Sequence, residues 1–500
     1  MASFLLKVTP NMIKRTLFLL SLNIVLLTIL PKSGIAQSKY WVALYDNTAS
    51  NTEQLQALTN TNHEVKIHYY STFLDAYSVT IQQNTLDHLM KAEIIKSYTK
   101  IRKLDRLGSS FSESEYDYAL AQINAWYITD SLAVSGKGIK VGIIDGGFME
   151  ADINPYLSNA FRNDQLIYFS DYLQKENENP FYGKRKDKDD HGTKVLKMII
   201  GNDVDEQLQS GLATDALLYL ARTDHGIDEN RLEEDYWVMA LESFYQQGVR
   251  LVNSSLGYID SFDKKKENHK KDEVDGESTM ITKAAQKAAE KGMLIIVSAG
   301  NSGSSKWKTL SLPADAKDII AVGASNFGDW SKMWYSSIGP EKLSYIKPDV
   351  ACYAANGTSY AAPIITGLAA CIWEYDSSLS NYELINIIEK SGHLAEIPNN
   401  YLGHGVPDAG KIMKLLHGKA LNPRLLEIKA EENILNLGDY SRTKQIAYFH
   451  KINATHVLEH GIRRRNNLEE SLIIKRKNKK ITRTTITSKS DLLIEIIWPD

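Results

Sequence analysis

Two cysteines, Cys352 and Cys371, are all that this 500-residue chain contains, so no disulfide framework holds its fold. A bridge between them requires Cα atoms within about 7 Å; two free thiols is the simpler expectation. No paired Cys or His spacing suggests a structural zinc, and no metal site is expected. Charge of one sign is also lacking, since 58 Lys and Arg against 61 Asp and Glu leave a formal net charge of −3. That balance argues against nucleic acid or an anionic membrane as the main partner.

Only one long apolar run stands out, Leu17 to Leu30 (LFLLSLNIVLLTIL). Lys14 and Arg15 precede it, and Pro31 and the small-residue segment SGIAQ follow. A basic start, an apolar stretch and a small-residue exit match a secretory signal peptide over residues 1–36, cut after Ala36. A spanning helix needs about 20 residues, and a retained signal anchor is the competing reading. No cysteine follows the run, which argues against a lipid anchor. The expectation is a secreted chain, extracellular or periplasmic, without a stable membrane anchor.

Three regions follow. Residues 37–110 hold short strand-like segments (KYWVALY, EVKIHYY, AYSVTI) and a helical one (TLDHLMKA), which reads as a small α/β module. The stretch KLDRLGSSFSESEYDY looks like an exposed linker. Over residues 111–415, apolar runs (IKVGIID, LLYLART, VRLVNSS, MLIIVSAG, DIIAVGA) alternate with amphipathic segments such as LEEDYWVMALESFYQQ and STMITKAAQKAAEKG. Buried strands alternating with helices imply an α/β fold with a doubly wound, mostly parallel sheet. Residues 416–500 lose that rhythm and read as a β-rich segment of unknown role. Its basic runs, RRR at 463–465 and KRKNKK at 475–480, are expected to be a solvated face rather than a contact for anionic surfaces.

In a doubly wound sheet, ligands gather at the carboxyl ends of the strands. Asp145 ends the run IKVGIID, and the chain then turns through Gly146 and Gly147. His191, in DHGTKVLKMIIG, stands at or just before a helix N-terminus. Ser359, in NGTSYAAP, opens the apolar helix YAAPIITGLAACIW, whose start presents free N–H groups and a positive dipole end. Each has a bland reading alone, as a turn residue, a structural histidine and a helix cap. Together they are what acyl transfer requires. A serine hydroxyl needs an imidazole to take its proton, and the imidazole needs a carboxylate to fix its tautomer. The order Asp, His, Ser on an open α/β sheet is one known solution.

The segments IIDGGF, DHGTKV and NGTSYAAP resemble the signatures of the subtilases, the subtilisin-like serine peptidases. VNSSLG (252–257), SAGNSG (298–303) and GHGVPDA extend the similarity to roughly residues 116–410. The resemblance implies a secreted serine endopeptidase with Ser359 as nucleophile, His191 as general base and acid, and Asp145 orienting the imidazole. Asn301 and the backbone N–H of Ser359 would hold the oxyanion. Ser255, Leu256 and Gly257 would pair with an extended polypeptide substrate, and Ala299 and Gly300 would floor its pocket. The module at 37–110 would be a pro-region that inhibits the groove, with the mature enzyme starting between Asp105 and Tyr118. No cofactor is required; the resemblance leaves a structural calcium open on loops such as KDKDD and KDEVDG, but neither shows a recognisable ligand pattern, and a solvated loop is the expected reading of Asp189 and Asp190.

Two departures stand out: Gly146 replaces the usual Ser or Thr after the acid, and KPDVACYAANGTS is short before the nucleophile. A catalytically inactive, groove-binding relative is the alternative. An esterase is disfavoured because the G-x-S-x-G elbow is absent around Ser359.

Overall fold

The computed structural model describes residues 38–44, 55, 65–71, 76–92, 94–101, 114–174, 179–183, 189–224, 232–259, 268–421, 425–438, 443–466, 470–488 and 492–499. The expected signal peptide (1–36) lies outside these residues, as does most of the expected linker. Among the described residues, no helix is long and apolar enough to cross a membrane. The chain divides into two compact units, Met1–Ile101 and Arg102–Asp500.

In the first unit, strands β1 (Ser38–Leu44), β2 (Val65–Ser71), β3 (Ala76–Ile81) and β4 (Ile95–Ile101) form an antiparallel sheet in the order β2-β3-β1-β4. The helix Gln83–Lys91 buries Leu86 and Leu89 with Val42, Val79, Ile81 and Ile95. Strand β4, IKSYTKI, is not one of the expected strands, because polar residues interrupt its apolar pattern.

The second unit is built on β5 (Lys140–Asp145), β6 (Leu166–Asp171), β9 (Leu217–Arg222), β10 (Leu251–Ser254), β11 (Leu294–Ser298), β12 (Ile320–Ser325) and β13 (Val350–Tyr353), with a short hairpin of β7 (Asn202–Asp203) and β8 (Leu208–Gln209) beside them. The seven strands run parallel in the order β13-β12-β11-β10-β5-β9-β6. Alternate side chains face opposite layers. Val141, Ile143, Leu294, Ile296, Ile320 and Val322 join the core under the helices His191–Ile200 and Ala362–Tyr375. Ile144, Val252, Ile295, Val297 and Ala321 join a second core with Trp237, Leu241 and Phe244 of the helix Leu232–Gln246 and with Met280–Glu290. Both faces are covered, which is why these strands read as unbroken apolar runs. The exception is edge strand β6 (LIYFSD), only partly buried before Asp171 and without a long apolar run.

Two boundaries differ from expectation. Ser114–Gln122 is a helix with Ala119 and Leu120 buried, so the expected linker ends before Tyr118. Ser359 does not open its helix; it sits in a 3₁₀ turn, Thr358–Tyr360, and the helix begins at Ala362. Pro363 accounts for the delay, since it lacks an N–H and suits the first helical turn.

Residues beyond 420 form a five-stranded sheet, β14-β20-β19-β16-β17, from β14 (Leu425–Lys429), β16 (Gln445–Lys451), β17 (Val457–Arg464), β19 (Arg483–Thr487) and β20 (Leu493–Ile497). Strands β15 (Ile434–Asn436) and β18 (Ile473–Lys475) pair beside it. Ala447, Phe449, Val457 and Leu493 of this sheet share a core with Ala351, Leu394 and Leu402. Of the arginine run, Arg463 and Arg464 are exposed, whereas Arg465 is buried and donates to the carbonyls of Thr443 and Glu470. Both cysteines are free and buried, and burial pushes their thiol pKa values up.

Candidate active site

Strand β5 is buried to its last residue, Asp145, whose side chain is wholly shielded from solvent. Gly146 N–H donates to Asp145 Oδ1 at 2.8 Å. At Gly147 an added Cβ would lie 2.7 Å from the carbonyl oxygen of Asp189, so the chain leading to His191 passes directly over this turn. Gly192 repeats the close approach: its N–H donates to Gly147 O at 2.8 Å, and an added Cβ would lie 2.5 Å from that oxygen. Backbone packed on backbone brings His191, the first residue of its helix, to the end of β5.

His191 Nδ1 and Asp145 Oδ1 are 2.7 Å apart. An ionised carboxylate can only accept, so Nδ1 carries the hydrogen and Nε2 is left as a base. The imidazole is 28% exposed, so part of the ring reaches solvent. Burial pulls the His191 pKa down, but the charge and hydrogen bond of Asp145 outweigh it, and the pKa rises above its ordinary value. Asp145 Oδ2 is buried with no hydrogen-bond partner among the described residues, and the adjacent Gly146 has no hydroxyl to offer it.

Ser359 lies in a turn packed against the His191 helix, and the ring of the next residue, Tyr360, is 5.8 Å from the imidazole. Among the described residues no hydrogen bond joins Ser359 to His191. Instead, Ser359 Oγ donates to the Ser255 carbonyl at 3.0 Å, and Ser255 Oγ donates back to the Ser359 carbonyl at 2.9 Å. A buried polar chain continues from there: Asn253 Nδ2 donates to Ser255 Oγ at 3.1 Å, and Thr366 Oγ1 donates to Asn253 Oδ1 at 2.9 Å.

Asn301 sits beyond the end of β11. Its Oδ1 accepts from Thr358 N at 2.8 Å and from Thr358 Oγ1 at 3.0 Å, and Thr358 Oγ1 also accepts from Gly300 N at 3.0 Å. With its carbonyl oxygen engaged, Asn301 presents Nδ2, and a Cβ on Gly357 would lie 3.4 Å from that atom. Gly300 has φ +103°, and a Cβ there would meet Ser311 Oγ at 2.3 Å; only glycine fits. Ala299 is buried beside it, whereas Leu256 is half-buried and Gly257 exposed, past the end of β10. The structure therefore brings Asp145, His191, Ser359, Asn301 and the segments 255–257 and 299–300 to the carboxyl ends of the sheet's strands.

Several described carboxylates of the acidic loops already hold protein partners. In KDEVDG, Asp275 caps Glu277 and Ser278, while Glu273 bonds Lys270 N and His269. In KDKDD, residues 186–188 lie outside the described residues, Asp189 pairs with Arg222 and Asp190 with Lys194. Among the described residues no group of three acids, histidines or cysteines could hold a metal.

Thr358, Asn253, Thr366 and Arg222 belong to this site and are absent from the sequence-based set. Thr358, Asn253 and Thr366 lie within quoted motifs without being singled out, and Arg222 ends the apolar run LLYLAR.

Comparison with known proteins agrees with this architecture. The model of the subtilase family matches residues 136–405, over half of the chain, and the chain belongs to that family. Membership makes it a serine endopeptidase by class. Subtilisin DY of Bacillus licheniformis is 26% identical over 286 residues, covering 54% of this chain and 89% of its own. Subtilisin E of Bacillus subtilis (strain 168) is 24% identical over 341 residues, covering 65% and 77%. Among solved structures, fervidolysin from Fervidobacterium pennivorans is 15% identical with a TM-score of 0.46, over 91% of this chain and 71% of that one.

Proposed function

We propose that this chain is a secreted serine endopeptidase in which Asp145, His191 and Ser359 act as a catalytic triad. The observation that carries the proposal is the 2.7 Å contact of His191 with a buried carboxylate, beside the turn that bears Ser359. On substrate binding, the Ser359 hydroxyl turns from the Ser255 carbonyl toward His191 Nε2. Its oxygen attacks the scissile carbonyl carbon while Nε2 takes the proton. The tetrahedral oxyanion is held by Asn301 Nδ2 and the N–H of Ser359. Collapse expels the amine, which receives the proton from His191, and water then hydrolyses the acyl-enzyme by the same steps in reverse order.

The polypeptide substrate would lie extended along Ser255, Leu256 and Gly257, adding a strand by backbone hydrogen bonds, with Ala299 and Gly300 beneath the residue preceding the cut. The reaction as proposed requires no cofactor. The module over residues 37–110, of which strands β1–β4 and the helix Gln83–Lys91 are described, is proposed as the inhibitory pro-region. Secreted material whose sequence starts at Gln37, rather than between Asp105 and Tyr118, would defeat that assignment.

A fluorophosphonate probe tests the central proposal. It should label the wild type and not Ser359→Ala, and the labelled enzyme should lose turnover of a mixed peptide library. Absence of labelling in active wild-type protein would reject Ser359 as nucleophile. Ester turnover without peptide turnover would move the chain to another class of hydrolase.

A further inference from the structure

Arg222 is a buried charge at the carboxyl end of the sheet. It ends β9, the strand between β5 and β6, with Asp145 as its register partner on one side and Asp171 on the other. Its side chain is only 10% exposed, and a guanidinium is tolerated there because its planar fork is satisfied. Nε donates to the Gly146 carbonyl at 3.0 Å, Nη2 to Asp189 Oδ1 at 3.0 Å, and Nη1 to Asp171 Oδ2 at 3.4 Å.

Two of these acceptors flank the Asp145–His191 pair. Gly146 directly follows Asp145, and its own N–H donates to the carboxylate oxygen that meets His191. Asp189 stands two residues before His191, and its carbonyl accepts from Met149 N at 2.9 Å, across the turn that follows Asp145. One guanidinium therefore ties the segment leaving the acid to the segment entering the histidine. The need for such a tie is visible at Asp145. Its Oδ2 has no partner among the described residues, and Gly146 has no side chain to hold it. Among the described residues the carboxylate is anchored only through Oδ1, so its aim depends on where the backbone at Gly146 is fixed.

We propose that Arg222 is a positioning residue, whose fork-shaped contacts with Gly146 and Asp189 set the Asp145–His191 geometry without touching the substrate. The inference rests on the triad proposed above. Lysine keeps the charge but is a point donor without the planar fork, so it cannot hold all three segments in one geometry.

The test uses the full chain, with Arg222→Lys and Arg222→Met beside the wild type. Active sites are titrated to completion with a fluorophosphonate, and kcat and KM on one peptide are expressed per titrated site. The proton on His191 Nδ1 is followed by its downfield NMR resonance. In Arg222→Lys, kcat per site should fall by about tenfold to a hundredfold, with KM moving less than about twofold and the Nδ1 proton shifting upfield. A variant that loses titratable sites but keeps wild-type kcat per site and an unmoved resonance would show a merely structural arginine and overturn the proposal. Should Arg222→Met fail to fold, Arg222→Lys alone decides. A wild type that is active yet unlabelled at Ser359 would remove the triad itself. A labelled wild type with an unaltered lysine variant removes only the role of Arg222.

Discussion

The Asn301 amide can face only one way, because Thr358 engages its carbonyl oxygen twice and leaves Nδ2 as the donor. Replacing Asn301 with Ala should lower kcat by a factor equivalent to about 3 kcal/mol, the size found for a donor of this kind in a member of the same family. KM should barely move, since the donor acts on charge that develops only in the transition state; steady-state kinetics on a peptide separate the two. The pH dependence follows from His191. A general base must be neutral, and Asp145 raises the His191 pKa against the pull of burial. The acid limb of kcat/KM should therefore lie above the pH expected of a free imidazole. In Asp145→Asn the main raising influence disappears and burial remains, so the limb should move to lower pH while kcat collapses. A pH–rate profile of both proteins checks the sign. At this scale the sequence singled out Asp145, His191, Ser359 and Asn301 by their motifs, and the structure brings them to one end of the sheet; their roles are proposed above. The sequence did not single out Arg222, Asn253 or Thr366, whose contacts come from what folding places beside them.

Glycines that let one segment cross another set the element-scale geometry. An alanine at Gly192 would bring its Cβ within 2.5 Å of the Gly147 carbonyl and 2.7 Å of the Phe148 ring. The oxygen belongs to backbone that cannot swing aside, so the helix start must shift away from β5. Gly192→Ala should destabilise the fold by about 1–3 kcal/mol, as overpacking does, measured by urea unfolding. Because His191 is the adjacent residue, kcat should fall further than stability alone explains. The parallel strands were readable because both of their faces are covered, which leaves apolar runs. Strand β6 was not, since it lies at the sheet edge and is mostly half-buried. The start of the Ser359 helix was misplaced because its apolar pattern continues through Tyr360 and Ala361, while backbone bonding there follows a 3₁₀ turn until Pro363 fixes the α-helix.

At the scale of the second unit, the sheet beyond residue 420 is joined to the parallel-sheet region by a shared core. Phe449 is fully buried with Leu394, Leu402 and Ala351, and Ala351 belongs to β13, the last strand before Ser359. Asn400 stitches the same boundary: its N–H donates to Thr455 O at 3.0 Å, its Nδ2 to Gly339 O at 2.9 Å, and its Oδ1 accepts from Val457 N at 2.9 Å. None of this was visible in the sequence, where the segment showed only short β-like runs and many basic residues. A core shared across that boundary should unfold as one. Phe449→Ala should cost about 3–5 kcal/mol and lower the unfolding midpoint of the catalytic region together with that of the sheet, as one transition by tryptophan fluorescence and by loss of peptide turnover. Removing residues 421–500 would uncover Leu394, Leu402 and Ala351 together, and contiguous exposed apolar surface of this kind favours aggregation. The shortened chain should therefore be recovered poorly in soluble form, with reduced activity in whatever folds. A soluble truncated protein with the wild-type unfolding midpoint and kcat would show that the sheet is an independent appendage, and that the apolar contacts at Phe449 stabilise only the sheet to which it belongs.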